Sequence, residues 1–177
     1  ITYNTGALTV TKAPLGISLV ATYSGSTTVT PDTFVITGLK NGEVIGNIAT
    51  ATLNNKDVSS ANNYVTGITL GASGNTATLS NYDITYAYNG SSGTTTTNNA
   101  TLSKAPLGIL VSATYNGTTS LAAIDNLVVS TTGLLGSDTI SAVTVNNANV
   151  ASNGANYVTG ISGGTASLSN YTITAGY

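Results

Sequence analysis

The chain has 177 residues, of which only 6% are charged, and its four basic and six acidic side chains give a net charge of −2. It contains no His, Cys, Met or Trp. This composition removes the commonest general base, the thiolate nucleophile and the usual zinc ligands, and it lacks the basic surface that nucleic acids and anionic membranes attract. We therefore expect a non-enzymatic protein with no cofactor, no metal, no nucleic-acid partner and no membrane insertion.

Short β-strands are predicted along the whole chain. In residues 17–23, for example, Ile17, Leu19, Ala21 and Tyr23 alternate with other side chains and so share one face. Asn-Gly turn signals at residues 41–42, 89–90, 116–117 and 153–154 separate such segments. In chain order, the predicted strands are residues 7–10, 17–23, 33–37, 43–53, 63–70, 76–88, 109–115, 126–130, 139–145, 157–161 and 166–175.

The sequence repeats itself with a period of about 90 residues. KAPLG occupies residues 12–16 and 104–108, and NYVTGI occupies residues 63–68 and 156–161. Two further pairs follow the same order: ATYSG at 21–25 with ATYNG at 113–117, and LSNYDIT at 79–85 with LSNYTIT at 168–174. This spacing predicts two copies of one domain, residues 1–88 and residues 89–177.

The predicted fold class is all-β, with two tandem immunoglobulin-like β-sandwich domains, because each repeat holds six or seven short strands. A β-grasp-like unit is the alternative.

Residues 1–3 match residues 84–86, which indicates a fragment cut from a longer array. Pro14 and Pro106 predict that the first strand of each repeat lies at a sheet edge or changes sheets there, and the polar residues 89–99 predict a flexible linker.

The predicted core consists of apolar residues on the inner faces of these strands. In the first repeat these are Leu19, Ala21, Val35, Tyr64, Ile68, Leu79 and Ile84, and in the second Val111, Ala113, Val128, Tyr157, Ile161, Leu168 and Ile173.

Three charged positions recur in the two repeats: Lys12 with Lys104, Asp32 with Asp125, and Glu43 with Asp138. One interpretation is an intramolecular isopeptide bond from Lys to Asp or Asn. The other, which we favour, is a set of surface ion pairs or charges that protect a strand edge. Asp57 and Asp83 have no acidic counterpart in the second copy, so we expect no repeat-wide role for either.

A strip of aromatic side chains marks the end of the first repeat. Tyr82, Ile84, Tyr86 and Tyr88 alternate along one strand and share a face. Tyrosine rings can stack on sugars, so Tyr82, Tyr86 and Tyr88 are candidate ligand-binding residues. The alternative, which we favour, is that the strip belongs to the core and to the junction with the next repeat.

The order of motifs resembles a known family. Each repeat has a KAPL opening, a Tyr-x-Gly, a GLKNGE-like turn and a closing NYxIT strand, at residues 12–15, 23–25, 38–43 and 81–85, and again at 104–107, 115–117, 133–138 and 170–174. This order is similar to that of the YDG/MBG-type repeats of large bacterial adhesins of the filamentous-haemagglutinin, two-partner-secretion kind. The family's Tyr-Asp-Gly is replaced here by Tyr23-Ser24-Gly25 and Tyr115-Asn116-Gly117.

The resemblance implies an exported, extracellular or cell-surface bacterial protein with no enzymatic activity. The expected function is a structural stalk or spacer of an adhesin that supports adhesion or biofilm formation. The alternative is a carbohydrate- or protein-binding module within such an adhesin. The expected partners are neighbouring repeats of the same polypeptide, with a glycan or a host or matrix protein as further candidates.

Overall fold

The computed structural model describes residues 6–84 and 98–174, and strands dominate both stretches. The strands are β1 (Ala13–Thr22), β2 (Thr28–Val29), β3 (Thr33–Thr37), β4 (Ile48–Leu53), β5 (Val65–Leu70), β6 (Tyr82–Ile84), β7 (Asn99–Ser103), β8 (Ala105–Ser112), β9 (Ser120–Ala122), β10 (Val128–Thr132), β11 (Ala142–Val145), β12 (Val158–Ser162) and β13 (Tyr171–Thr174). Within these two stretches, short 3₁₀ helices cover Leu79–Asn81, Ala123–Asp125 and Val150–Ser152. The predicted all-β fold class is confirmed. None of the helices in this part of the chain is long and apolar enough to cross a membrane.

The same strand arrangement occurs twice. In strands β1–β6, which we call repeat one, β1 pairs antiparallel with β3 and parallel with β6, and a second sheet has the order β2-β4-β5. In strands β8–β13, which we call repeat two, β8 pairs in the same way with β10 and β13, and the second sheet is β9-β11-β12. One sheet of each repeat is therefore mixed, whereas immunoglobulin sandwiches are built from antiparallel sheets.

Both prolines lie in the central strand of a sheet, but at a place where that strand has a described neighbour on one side only, so each proline occupies a local sheet edge, as predicted. Pro14 pairs with Asp83 of β6, but pairing of β1 with β3 begins only at Gly16. Proline is tolerated near the start of a strand, before the ladder on its second side begins. Pro106 occupies the same place in β8, opposite Thr172 of β13.

Strand β7 connects the two repeats and lies in the first one. It pairs in parallel with β1, from Ser18 opposite Asn99 to Thr22 opposite Ser103. Along one side of β1, β6 therefore covers Ala13–Leu15 and β7 covers the following part. Only Lys104 separates β7 from β8, so a nearly continuous strand runs from the sheet of repeat one into that of repeat two.

The expected boundary between residues 88 and 89 lies outside the described residues. Asn99–Ser103, which that division assigns to the second domain, forms part of the sheet of the first. Most of the expected linker, residues 89–97, also lies outside the described residues.

The core of repeat one lies between its two sheets. Its fully buried side chains include Leu15 and Ile17 of β1, Ala51 of β4 and Val65 of β5. Ala100 and Leu102 of β7 belong to the same apolar cluster. In repeat two, Val143, Val145 and Val158 form the corresponding buried cluster.

The predicted core is partly confirmed. Leu19 and Ala21 are buried, and half-buried positions include Tyr64, Ile68, Leu79, Ile84, Val111, Ile161 and Ile173. Five assignments are wrong because the side chains are exposed: Val35, Ala113, Val128, Tyr157 and Leu168.

The prediction for Val35 and Val128 is wrong because the strand register differs by one residue from the expected one. In β3 the half-buried residues are Phe34 and Ile36, so Val35 between them faces solvent. Val128 likewise faces outward at the start of β10. In a strand of consecutive apolar residues, alternation leaves the choice of inner face open by one position, and a shift of one residue reverses every side chain.

Candidate functional site: the junction between the repeats

The tyrosine strip does not present a free aromatic surface at Tyr82. That side chain is 5% exposed, and its hydroxyl donates to Glu43 while accepting from the backbone N–H of Lys40. The hydrogen bond to Glu43, together with burial, raises the pKa of Tyr82. Tyr86 and Tyr88 lie outside the described residues.

A buried polar cluster lies where the two repeats meet. Tyr23, which directly follows β1, reaches into repeat two and donates a hydrogen bond of 2.9 Å to Asp138. Tyr171 of β13 donates to the same carboxylate oxygen at 2.7 Å. The two rings meet edge to face, with centroids 5.2 Å apart, and all three side chains are buried. A side chain of repeat one thus completes a hydrogen-bond network of repeat two.

Burial and this network raise the pKa values of the two tyrosine hydroxyls. Burial, reinforced by the hydrogen bond to Asp138, raises the pKa of Tyr23 to about 12. The same two causes raise the pKa of Tyr171 further. Both hydroxyls therefore remain protonated donors over the whole physiological range.

A second group of contacts closes the junction from the side of residues 56–58. Asn170 is 4% exposed, and its side chain accepts from the N–H of Val58 at 2.9 Å and donates to Asp57 at 2.8 Å. The Lys56 ammonium lies 3.7 Å from Asp138 and 6.0 Å from the centre of the Tyr23 ring. The ion pair is half shielded from water, since the lysine is 38% and the aspartate 2% exposed.

The backbones of the two repeats also approach closely, at two glycines with positive φ. A Cβ on Gly25 (φ +76°) would lie 2.7 Å from the backbone nitrogen of Gly136, and a Cβ on Gly136 (φ +60°) would lie 2.9 Å from the carbonyl oxygen of Gly25. Glycine is the residue that can both adopt this conformation and leave this space. Both fixed residues of the first Tyr-x-Gly motif, Tyr23 and Gly25, therefore contact repeat two.

Strand β7 is held by more than its ladder with β1. The side chain of Asn98 is fully buried, and it accepts from the N–H of Val65 at 3.0 Å and donates to the Val65 carbonyl at 2.8 Å. The N–H of Ala100 donates to the carbonyl of Asn63 at 2.8 Å, and the N–H of Tyr23 donates to the carbonyl of Ser103 at 2.9 Å. Strand β7 therefore bridges both sheets of repeat one.

The polar cluster has a counterpart inside repeat one. Tyr82 with Glu43 corresponds to Tyr171 with Asp138, and the N–H of Lys40 donates to the Tyr82 hydroxyl as the N–H of Leu135 does to Tyr171. Within the described residues, no third tyrosine joins Tyr82 and Glu43 in the way that Tyr23 joins the second cluster. Glu43 is accordingly only half buried.

The other recurring charges do not form matching pairs. Lys12 and Lys104 are both exposed, and the Lys104 ammonium donates to the carbonyl of Leu168. Asp32 accepts from the hydroxyl of Thr22 at 3.3 Å, and Asp125 accepts from the N–H of Ala122 at 2.8 Å. An exposed amine bonded to a carbonyl is poorly placed for isopeptide chemistry. We expect an intact mass equal to that of the unmodified sequence, and loss of a water or an ammonia would contradict this.

Several junction residues escaped the sequence-based prediction. The sequence predicts no repeat-wide role for Asp57, which has no acidic counterpart in repeat two, yet Asp57 accepts a hydrogen bond from Asn170 across the junction. Tyr23 was placed on the inner face of a strand but not at a junction. Its recurrence beside Gly25 in ATYSG and ATYNG was the available signal.

In the described part of the chain, no group of three or more acidic, His or Cys side chains could hold a metal ion. Comparison with protein-family models, curated proteins and solved structures finds no match to this chain.

Proposed function

We propose that this chain is a structural spacer of an exported bacterial adhesin, in which consecutive repeats are joined rigidly to support adhesion or biofilm formation. The observation that carries the proposal is the junction itself. Strand β7 lies in the sheet of repeat one and continues into β8 of repeat two, while Tyr23 is buried against Asp138 and Tyr171. A protein whose role is to hold a distance between two points requires such a fixed connection between its units.

Composition supports a role without catalysis. The chain has no His or Cys, and the buried side chains of Tyr23, Tyr171 and Asp138 are occupied by a contact between repeats. An extracellular location agrees with the order of motifs that resembles the two-partner-secretion adhesins.

Solution scattering on the whole chain tests the spacer role. A rigid spacer gives an elongated envelope whose two lobes keep one separation, and Tyr23→Ala broadens the distribution of distances between them. The matched control is Tyr115→Ala, since Tyr115 occupies the equivalent position in repeat two and is 59% exposed; all samples are measured at concentrations where the chain is monomeric. A compact globule, or a wild-type distribution as broad as that of Tyr23→Ala, would contradict the proposal.

Location is tested separately. Antibodies against this chain should label intact cells of the source organism, and external protease should remove the label.

The binding-module alternative predicts saturable binding on a glycan array. The buried ring of Tyr82 speaks against a sugar platform at that residue, so we expect no such binding.

A further inference from the structure

Repeat two carries an open groove at the place where repeat one is covered by β7. The groove has a volume of about 440 Å³, and its apolar lining includes Val111, Ala113, Tyr115, Leu121, Val145 and Val150. Among the described residues, β8 pairs only with β10 and β13, and the last described pair with β13 joins Thr174 and Gly108. Beyond that point, no described strand lies on this side of β8.

Burial differs sharply between equivalent positions of the two repeats. Leu19, Ala21 and Tyr23 are at most 3% exposed in repeat one. Of their equivalents in repeat two, Val111 is half buried and Ala113 is exposed, and Tyr115 is 59% exposed. Much of this difference arises because β7 and repeat two cover the first set.

A segment suited to this groove is present at the other end of the same chain. Residues 6–11 precede KAPLG in repeat one, as residues 98–103 precede it in repeat two. Leu8 and Val10 stand where Ala100 and Leu102 stand in β7, but they are 87% and 83% exposed. Ala100 and Leu102 are at most 8% exposed. Residues 6–12 form no strand, although the alternation of residues 7–10 predicts one, because a strand needs a partner.

We propose that the groove beside residues 109–115 receives residues 6–11 of a second copy of this chain, which pair in parallel with β8. This inference rests on the proposed spacer function and extends it: the molecule joins head to tail by the same contacts that join its two repeats. Strand addition to an exposed edge is an established mode of recognition, and a head-to-tail contact that does not close gives an open filament.

The internal junction fixes the register of this contact. Transferring the pairing of β7 with β1 places Leu8 opposite Val111, Thr9 opposite Ser112 and Val10 opposite Ala113. The N–H of Leu8 then faces the carbonyl of Asn156, as that of Ala100 faces Asn63. The N–H of Tyr115 faces the carbonyl of Thr11, as that of Tyr23 faces Ser103.

The polar cluster of repeat one is the receptor for the other half of the contact. Tyr115 of the first copy would enter the site formed by Glu43 and Tyr82 of the second, as Tyr23 enters the site of Asp138 and Tyr171. This would fill the third position that is empty beside Glu43 among the described residues. The two ends of the chain therefore match each other in their strand and in their tyrosine.

One position departs from the internal junction. In the internal junction, Gly136 of repeat two approaches Gly25 of repeat one. In the contact between copies, the equivalent residues are Asn41 (φ 52°) in place of Gly136 and Gly117 in place of Gly25. A Cβ at this place would lie 2.9 Å from a carbonyl oxygen in the internal junction, so the contact between copies must open slightly here. Asn41→Gly should therefore tighten the association, since glycine also suits the positive φ.

Cysteine cross-linking on the full chain tests the register, because the chain contains no native cysteine. Thr9→Cys and Ser112→Cys are made in separate proteins and mixed under mild oxidation. Paired strands lie about 4.8 Å apart, within the distance that a disulfide can bridge. The control mixes Thr9→Cys with Ser130→Cys, an exposed position on β10 at the opposite side of β8. We expect about tenfold more mixed disulfide in the first mixture, corresponding to preferential docking.

Sedimentation of the unmodified chain provides the second measurement. We expect association that grows with concentration, that weakens about tenfold or more with Val10→Asp or Tyr115→Ala, and that strengthens with Asn41→Gly. Val10 and Tyr115 are exposed, so these variants should keep the fold, which circular dichroism verifies. A chain that remains monomeric at all concentrations overturns the proposal. So does association that these variants leave unchanged, or equal cross-linking in both mixtures.

The outcomes separate this inference from the spacer function. An elongated, rigid monomer without cross-linking retains the spacer and refutes head-to-tail docking. Specific cross-linking between compact, loosely joined molecules supports strand docking and refutes the spacer.

Discussion

Tyr23 and Tyr115 are equivalent residues in different surroundings, so they form a matched pair for mutation. Tyr23→Phe removes the hydroxyl that donates to Asp138 within a buried network, whereas Tyr115 is 59% exposed. Because hydrogen bonds to charged groups contribute about 1.5–3 kcal/mol, we expect Tyr23→Phe to lower the free energy of unfolding by about that amount. Tyr115→Phe should change it by less than about 0.5 kcal/mol. Urea denaturation of dilute samples measures both, and equal losses would contradict the role of Tyr23.

The same hydroxyl predicts a dependence on alkaline pH. Its pKa is raised from 10.0 in the unfolded chain to about 12, mainly by burial and then by the hydrogen bond to Asp138. A raised pKa means that this stabilisation is fully present below pH 10 and is lost as the pH rises through 12. We expect the wild-type free energy of unfolding to fall between these values. Tyr23→Phe, which lacks the group, should show a shallower fall, and identical slopes would argue against the shift.

At the scale of single elements, β7 is tested by the contrast between Leu102 and Val10. The two residues occupy the same place in the repeat, but Leu102 is 7% and Val10 is 83% exposed. Leu102→Ala should cost about 2–5 kcal/mol, as buried large-to-small substitutions do, and Val10→Ala less than about 0.5 kcal/mol. Urea denaturation at low protein concentration gives both values. A small loss for Leu102→Ala would show that β7 is not part of the core.

The strands differ in how far the sequence could predict them. Residues 33–37 are predicted with the observed bounds because turn residues limit them on both sides, Pro31 and Asp32 before the strand and Gly38 after it. In residues 43–53, strand β4 begins only at Ile48. Before it, the N–H of Val44 donates to the side chain of Thr76, and those of Gly46 and Asn47 donate to the side chain of Asn75. Such side-chain contacts to distant backbone leave no periodic signal.

The candidate site was the harder part to predict. Repetition of KAPLG and NYVTGI located the repeats, but it could not show that residues 99–103 leave their own repeat to pair with the preceding one. That pairing depends on long-range register. The alternation of the tyrosine strip correctly favours a core position for Tyr82. It does not predict that the Tyr82 hydroxyl donates to Glu43, because that contact depends on the tertiary fold.

At the scale of the whole molecule, the glycine contact between repeats is tested by another matched pair. Gly25 and Gly117 have similar φ values of +76° and +82°, but only at Gly25 would a Cβ meet the backbone of the other repeat. Both alanine variants share the cost of a positive φ, about 1–3 kcal/mol. Gly25→Ala must in addition push Gly136 and Leu135 away.

We therefore expect Gly25→Ala to be the more destabilised variant in urea and to show a broader distance distribution in solution scattering. Gly117→Ala should keep the wild-type distribution. Equal behaviour of the two variants would mean that the close approach of the backbones contributes nothing to the geometry of the junction.

Strand β1 pairs first with β6 and then with β7, and its pairing with β7 has a mechanical consequence. Strands β1 and β7 run parallel, with five residue pairs in register. When the chain is stretched, tension enters repeat one through the start of β1 and leaves through the end of β7, so the two strands are pulled in opposite directions along their common axis. This is shear loading, in which the backbone hydrogen bonds of the ladder carry the force together, whereas a hairpin peeled from one end breaks them one after another. Rupture under force is governed by the unfolding rate, and the strand shared between the repeats places a shear-resistant clamp at the junction, where tension passes from one repeat to the next.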